Sequence, residues 1–335
     1  MRGVARFGGL VGLCVAAACG NSNSNGNDSA TPDAAMPDAP MPDAATPDAP
    51  AFTPVVRSVI DNMTVPAANA QAIALGLDLN GDGVVDNQLG MVLAALAAAS
   101  SSVQSSTDTA VARGSILLLG EVVLGAGGAG LPTDATFTMY TGANPRPAPC
   151  NGTGDVVCRR HLDGHGLFDL AATSAHDPPL TGTLSNGTLV AGPGHLQVPL
   201  MFGSATPVML NLIGARVQLR MVTPETIGPS VIGGALTQSE IELKIHPGIQ
   251  QNANAAVAAD CTTTTPPDCG CLDPSSGRSY LTLFDTSPKD CVISLDEVRN
   301  NTLIRSLLMP DVTVEGQNAL SFGFGVTAVK ATFTP

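Results

Sequence analysis

Thr183-Leu184-Ser185-Asn186-Gly187-Thr188-Leu189-Val190 carries the strongest fold signal in the chain. Asn-Gly accepts two consecutive left-handed backbone positions, as a two-residue hairpin turn requires, and here it separates two β-prone runs. The middle of the chain is therefore expected to be antiparallel sheet. Working outward, Leu196 to Phe202 and Val208 to Val222 continue the pattern. Upstream, Thr136, Thr138 and Tyr140 alternate with Ala135, Phe137 and Met139, and Ile116 to Leu119 and Val122 to Leu124 are short apolar runs. Residues 115–223 read as strand-rich.

The flanks read differently. Residues 55–114 read as helical, with Val92, Leu93, Leu96 and Ala97 at helical spacing and Gly114 suited to a C′ position. In residues 224–335 a helix is expected after the capping box Thr237-x-x-Glu240, and Pro247 should kink or end it. A cysteine-rich loop follows. A second capping box, Ser294-x-x-Glu297, opens a helix that stops before Pro310. The chain ends in a strand with Phe322, Phe324, Val326 and Ala328 on one face. The fold expected is mainly β with helical segments (α+β). It has a β-sandwich-like core, an N-terminal helix–loop–helix and a disulfide-bridged C-terminal region.

The N-terminus reads as an export signal. Arg2 and Arg6 precede an uncharged apolar stretch, Phe7 to Ala18, which is too short to span a bilayer. Ala16-Ala17-Ala18-Cys19 follows, with small side chains before a thiol. This resembles the bacterial lipobox, with Ala16 where Leu is usual, and implies that residues 1–18 are removed and Cys19 is lipidated. Leu13 before Cys14 makes that cysteine a poorer choice, and ordinary signal peptidase could also cut after Ala18. Residues 19–54 read as a tether, because Pro-Asp-Ala recurs at Pro32, Pro37, Pro42 and Pro47. Proline removes donors and like-charged aspartates repel, so the segment should stay extended, with a reach on the order of 100 Å. Such linkers resemble those of bacterial envelope lipoproteins. With Gly20 after the cysteine, that resemblance implies an outer-membrane or surface destination.

The exported domain, residues 55–335, is long enough for a sizeable core. Without Arg2 and Arg6 the mature chain holds 13 basic and 28 acidic side chains, a net charge of −15. That balance argues against a nucleic-acid partner and suits cations. Cys150, Cys158, Cys261, Cys269, Cys271 and Cys291 form an even set in an oxidising compartment and read as three disulfides. Cys150–Cys158 is the local pair. Cys269-Gly270-Cys271 is too tight to bridge itself, so each should pair outward, to Cys261 or Cys291. A zinc site on Cys261, Cys269, Cys271 and Cys291 is the alternative, but it lacks CxxC knuckles.

The sharpest chemical motif is Asp78-Leu79-Asn80-Gly81-Asp82-Gly83-Val84-Val85-Asp86. Side-chain oxygens fall at loop positions 1, 3, 5 and 9, and Gly83 at position 6 permits a sharp turn. The spacing resembles the calcium loops of EF-hands and dockerin modules. That resemblance implies ligation by Asp78, Asn80, Asp82 and Asp86 with the Val84 carbonyl, and a core anchor in Val85. The sequence departs from it at position 12, where Leu89 replaces the acidic ligand. The alternative is a polar turn capping the next helix. A second stretch, Asp285 to Glu297, resembles the same loop when read from its end. Glu297 takes position 12, Ser294 position 9, Ile293 position 8 and Asp290 position 5, with Asp285 at the start. It is one residue too long, Pro288 occupies a ligand position, and Cys291 replaces the glycine. EF-hand loops often pair, which implies that the two could pack together or share Glu297.

Other constellations are weaker. Gly125-x-Gly127-x-x-Gly130 matches a dinucleotide fingerprint but leads into a strand rather than a helix, so phosphate binding is rejected. His161-x-Asp163-x-His165, near Asp169, His176 and Asp177, would place metal-capable groups on one face if extended, as a zinc hydrolase could use. No G-x-S-x-G elbow or H-E-x-x-H motif is present. The function read from the sequence is a lipid-anchored, non-enzymatic, calcium-stabilised structural or interaction module. The alternative is an exported metal-dependent hydrolase at His161, Asp163 and His165.

Overall fold

The structure is a computed structural model and describes residues 54–99, 103–125, 133–152, 158–202 and 206–335. Cys19, the signal segment, residues 19–53 of the tether, and Gly127 and Gly130 lie outside the described residues, as do the side chains of Leu96 and Ala97.

Ten strands form: β1 (Val55–Thr64), β2 (Leu118–Leu124), β3 (Thr133–Arg146), β4 (Gly166–Leu170), β5 (Leu180–Ser185), β6 (Thr188–Leu200), β7 (Val208–Leu219), β8 (Thr226–Thr237), β9 (Val312–Val314) and β10 (Gln317–Thr332). Eight of them close on themselves in the order β1-β2-β3-β5-β6-β7-β8-β10-β1, every neighbour antiparallel. β4 lies beside β3 and runs parallel to β10 at one end, and β9 folds back on β10. The expected sandwich is thus corrected to a closed barrel. Closure depends on β10, which pairs with β8 along one edge and with β1 along the other. A sandwich would have left those two edges open.

The missing piece in the sequence reading is β1. Residues 55–64 are a strand, not the start of a helical region. Buried Val56, Val59, Ile60 and Met63 imitate helical spacing. The reason is a register shift between Ile60 and Asn62, which breaks the strand's alternation and turns Met63 to face Val326. β8 also escaped the reading. Its centre, Ser230 to Leu236, is buried on both faces, so it shows no polar alternation.

An eight-stranded barrel is just wide enough for side chains to fill it. Phe137, Leu180, Leu212, Val217, Ile232, Leu236, Phe322 and Phe324 are all buried in one continuous core. Phe322 and Phe324 stack with centroids 5.5 Å apart. The outer face carries polar groups, among them the Arg57–Glu121 pair at 2.7 Å. An apolar interior with a polar exterior is the reverse of a transmembrane barrel. Among the described residues no helix is long and apolar enough to cross a membrane.

The Asn186-Gly187 hairpin forms as expected, with φ of 49° and 73° at the two turn residues. Helices cover the outside: α1 (Asn69–Ala74), α2 (Gln88–Ala99), α3 (Val103–Arg113), α4 (Gln238–Glu240), α5 (His246–Asp260), α6 (Ser276–Phe284), α7 (Leu295–Asn300) and α8 (Thr302–Leu307). Gly114 follows α3 with φ of 72°, as a C′ glycine should. Thr237 caps α4, and Ser294 with Glu297 forms a complete capping box on α7. Pro247 was expected to kink or end its helix; the helix continues through it, and the irregularity falls just before it. A π-turn, Ile241–Ile245, joins α4 to α5, and Pro247 sits in the first turn of α5, where a missing N–H costs little.

All three expected disulfides form: Cys150–Cys158, Cys261–Cys271 and Cys269–Cys291. Both members of the CGC stretch pair outward. The four cysteines are thereby removed as thiolate ligands, and the zinc alternative with them.

Candidate metal loop and its latch

The loop from Asp78 to Asp86 sits between α1 and α2 and is held by its own side chains. Asp78 accepts from Gly81 N at 2.6 Å and Gly83 N at 2.9 Å. Asn80 Oδ1 accepts from Asp82 N, and Asp82 Oδ1 accepts from Val84 N. Gly81 and Gly83 take φ of 82° and 84°, the left-handed region that glycine enters without strain. An antiparallel bridge joins Leu77 to Asp86 across the loop ends, and Asp86 Oδ2 accepts from Leu79 N at 2.9 Å.

These contacts split the carboxylates electrostatically. The Gly83 N–H above all, then the Gly81 and Asp82 N–H groups and the Arg216 charge, outweigh burial and hold Asp78 below its ordinary pKa. Burial raises Asp86, helped by the charges of Asp311, Asp82 and Asp78 and opposed by the Leu79 N–H. The donor set is all oxygen and strongly anionic, the chemistry that hard divalent cations prefer. Each carboxylate still has lone pairs beyond those its amide donors use. Among the described residues, no three His, Cys, Asp or Glu side chains converge into a metal cluster. A cation would have to draw the oxygens inward.

Two details depart from expectation. Val85, expected as the core anchor, is 48 % exposed, and Leu79 is buried instead. Leu79 packs with Ala235, Val312, Val314 and Ala319 in a small cluster separate from the main core. Leu89, in place of the twelfth-position acid, is buried in the main core.

The loop is latched to the barrel by Asn87, a residue the sequence reading did not single out. Asn87 is buried; its amide donates to Ala72 O at 2.9 Å and Gly323 O at 3.0 Å, and accepts from Gly323 N at 2.8 Å and Gly90 N at 3.0 Å. One side chain therefore caps α2, ties α1 to it and pairs with β10 as a neighbouring strand would. Ser321, fully buried on β10, accepts from Gln88 N at 2.7 Å, and Asp311 accepts from Ser321 N at 2.7 Å. A Cβ on Gly323 would lie 2.2 Å from Leu75 O, so this close docking requires glycine.

The second stretch also lies between two helices, α6 and α7. Asp285 accepts from Asp290 N and Cys291 N, and Asp290 from Val292 N. Cys291 adopts φ of 66°, doing the turning that glycine would do. Ser294 is engaged as the cap of α7. Glu297 reaches back to Thr286 N and Ser294 N; burial would raise its pKa, but these donors prevail and lower it. Ile293 is buried as expected. The two loops do not pair through it. Ile293 N donates to Asn254 Oδ1 at 2.9 Å and Ile293 O accepts from Asn254 Nδ2 at 2.7 Å, so an α5 side chain occupies that backbone.

The histidine constellation is not assembled. His161 is fully buried, edge-on to Phe168, while Asp163 and His165 are exposed. Asp169 is paired with Arg146 at 2.9 Å. Among the described residues, no side chain hydrogen-bonds either ring nitrogen of His161. Burial first, and then the Arg159 charge, pull its pKa down to about 4 against Asp163 and the Val111 backbone, which oppose the shift.

Comparison of the chain with protein-family models, with curated proteins and with solved structures finds no match.

Proposed function

We propose that this chain is an exported, lipid-anchored envelope protein whose soluble barrel is stabilised by calcium in the loop Asp78–Asp86. It acts as a structural or interaction module without catalysis. The observation that supports this most is the continuity from loop to barrel. Asp86 closes the loop, Asn87 follows it directly, and Asn87 joins β10 through Gly323. Ordering the loop around a cation would therefore stiffen the contact on which the barrel's closing strand rests.

Asp78, Asn80, Asp82, Asp86 and the Val84 carbonyl are the ligands of this reading. Water completes the shell, because Leu89 is buried. Calcium tolerates such a gap better than magnesium, and affinity on the order of 10⁻⁴–10⁻³ M is expected. Asp285, Asp290, Ser294 and Glu297 are a lesser second candidate, since Pro288 takes a ligand position and Ser294 and Glu297 are bonded to each other in the capping box of α7. Lipidation at Cys19 and an outer-membrane or surface location complete the proposal.

The test is melting temperature against calcium concentration, in wild type and Asp82→Ala. Binding to the folded state alone should raise the wild-type value as calcium increases. Asp82→Ala should lose most of the rise, and Glu297→Ala should lose part of it only if the second loop binds. Melting indifferent to both calcium and chelator in wild type would leave the loop as a polar turn.

A further inference from the structure

Asn211, Glu240 and Lys244 meet on the outside of the barrel. Asn211 lies on β7, Glu240 ends α4, and Lys244 belongs to the π-turn. The Glu240 carboxylate accepts from Asn211 N at 2.9 Å, from Asn211 Nδ2 at 3.0 Å and from Lys244 Nζ at 2.7 Å. Gln197, paired with Asn211 across β6 and β7, donates from Nε2 to Asn211 Oδ1 at 3.1 Å. A carboxylate only accepts, so it fixes which end of the Asn211 amide faces it. The chain has three lysines. Lys330 is 48 % exposed and Lys289 is exposed, whereas the Lys244 side chain is 25 % exposed and Glu240 14 %. Lys244 lies four residues after Glu240, within the π-turn, a device common at functional sites.

An amine and a carboxamide bonded to one carboxylate are neighbours, with a general base between them and a polarising donor on the amide oxygen. We propose that Lys244 and Asn211 join in an intramolecular amide cross-link, with Glu240 transferring the protons. Glu240 takes a proton from the Lys244 ammonium, and the freed amine attacks Asn211 Cγ, forming the new C–N bond. Gln197 holds the negative charge that develops on Oδ1. Glu240 returns its proton to Nδ2 and then takes the surplus proton from the attacking nitrogen. The Cγ–Nδ2 bond breaks and ammonia leaves. The remaining proton passes from Glu240 to solvent, so the net loss is one ammonium. Asn211 is exposed, so the leaving group can escape. Holding the partners in place removes the entropic cost of bringing them together. The bond would tie the helical cap to the barrel wall covalently.

Peptide mapping by mass spectrometry of the folded full chain tests this. The expected result is a branched peptide joining the Asn211 and Lys244 segments, lighter by one ammonia, with no tryptic cleavage after Lys244. Glu240→Gln, Lys244→Arg and Asn211→Ala should each abolish it, and Lys244→Arg keeps a cation on Glu240 if the other variants fail to fold. The linkage should form equally in calcium and in chelator, which separates it from the metal reading. A Lys244 that is cleaved by trypsin and labelled by an amine reagent in wild type of verified fold would overturn the proposal. So would a branched peptide that persists in Glu240→Gln.

Discussion

Acid should weaken this protein through one buried histidine. His161 is fully buried, and its folded-state pKa lies near 4 against an ordinary 6.5. The unfolded chain therefore binds a proton as pH falls through 6.5, while the folded chain refuses it until about 4. The stability contribution is complete above pH 6.5 and shrinks as pH drops through that window. At 1.36 kcal/mol per unit, the shift from 6.5 to about 4 corresponds to a loss of about 3 kcal/mol by the lower end. Carboxylates titrate over the lower part of the same range, so the measurement is a difference. Urea unfolding of wild type and His161→Phe, across a pH series, isolates the histidine. Phenylalanine fits beside Phe168 and carries no proton. The wild type should lose about 3 kcal/mol relative to the variant between pH 6.5 and 4. A gap between the two that stays constant with pH would show that the imidazole is hydrated or paired in solution, and the argument would fail.

Further outcomes follow from the same structure. Cys19→Ala should move the protein from membranes into the soluble fraction, and fractionation that shows no change would contradict lipid anchoring. Denatured, unreduced protein should show no free thiol among the six domain cysteines, and removing Cys269–Cys291 should cost roughly 2–5 kcal/mol in chemical denaturation. Asn87→Ala would strand the buried Gly323 N–H and the Ala72 and Gly323 carbonyls, a loss on the order of 3 kcal/mol. A loss under about 1 kcal/mol would mean that water replaces the latch.

Much of the chain was legible because its signals are local. The Asn186-Gly187 turn, the Thr237 cap, the Ser294–Glu297 capping box, the C′ glycine at 114 and the Asp/Gly loop are each decided by backbone chemistry within a few residues, whereas the Glu240 side chain leaves Thr237 for Asn211 and Lys244. The Cys150–Cys158 pair was also within reach as the local bridge, and CGC cannot bridge itself, but only the structure decides that Cys271 takes Cys261 and Cys269 takes Cys291. A hydrogen-bonding side chain near its own backbone leaves a pattern that spacing reveals.

Tertiary structure alone decided the rest. Whether eight strands stack as a sandwich or close as a barrel turns on β1 meeting β10, and their partnered residues stand at opposite ends of the domain. No periodicity encodes that meeting, and the shift after Ile60 disguised the strand that makes it. The buried anchor of the first loop is Leu79 rather than Val85, because the loop docks on an outer-wall cluster that exists only once β8, β9 and β10 are side by side. Asn87 and Gly323 are 236 residues apart, and neither advertises a partner in the sequence. His161 turned inward while Asp163 and His165 stayed out, because a short 3₁₀ turn, not a strand, carries them away from one face. Period and capping describe what a chain does with its own neighbours. The latch, the buried histidine and the Asn211–Glu240–Lys244 triad depend on which surfaces the closed barrel brings into contact.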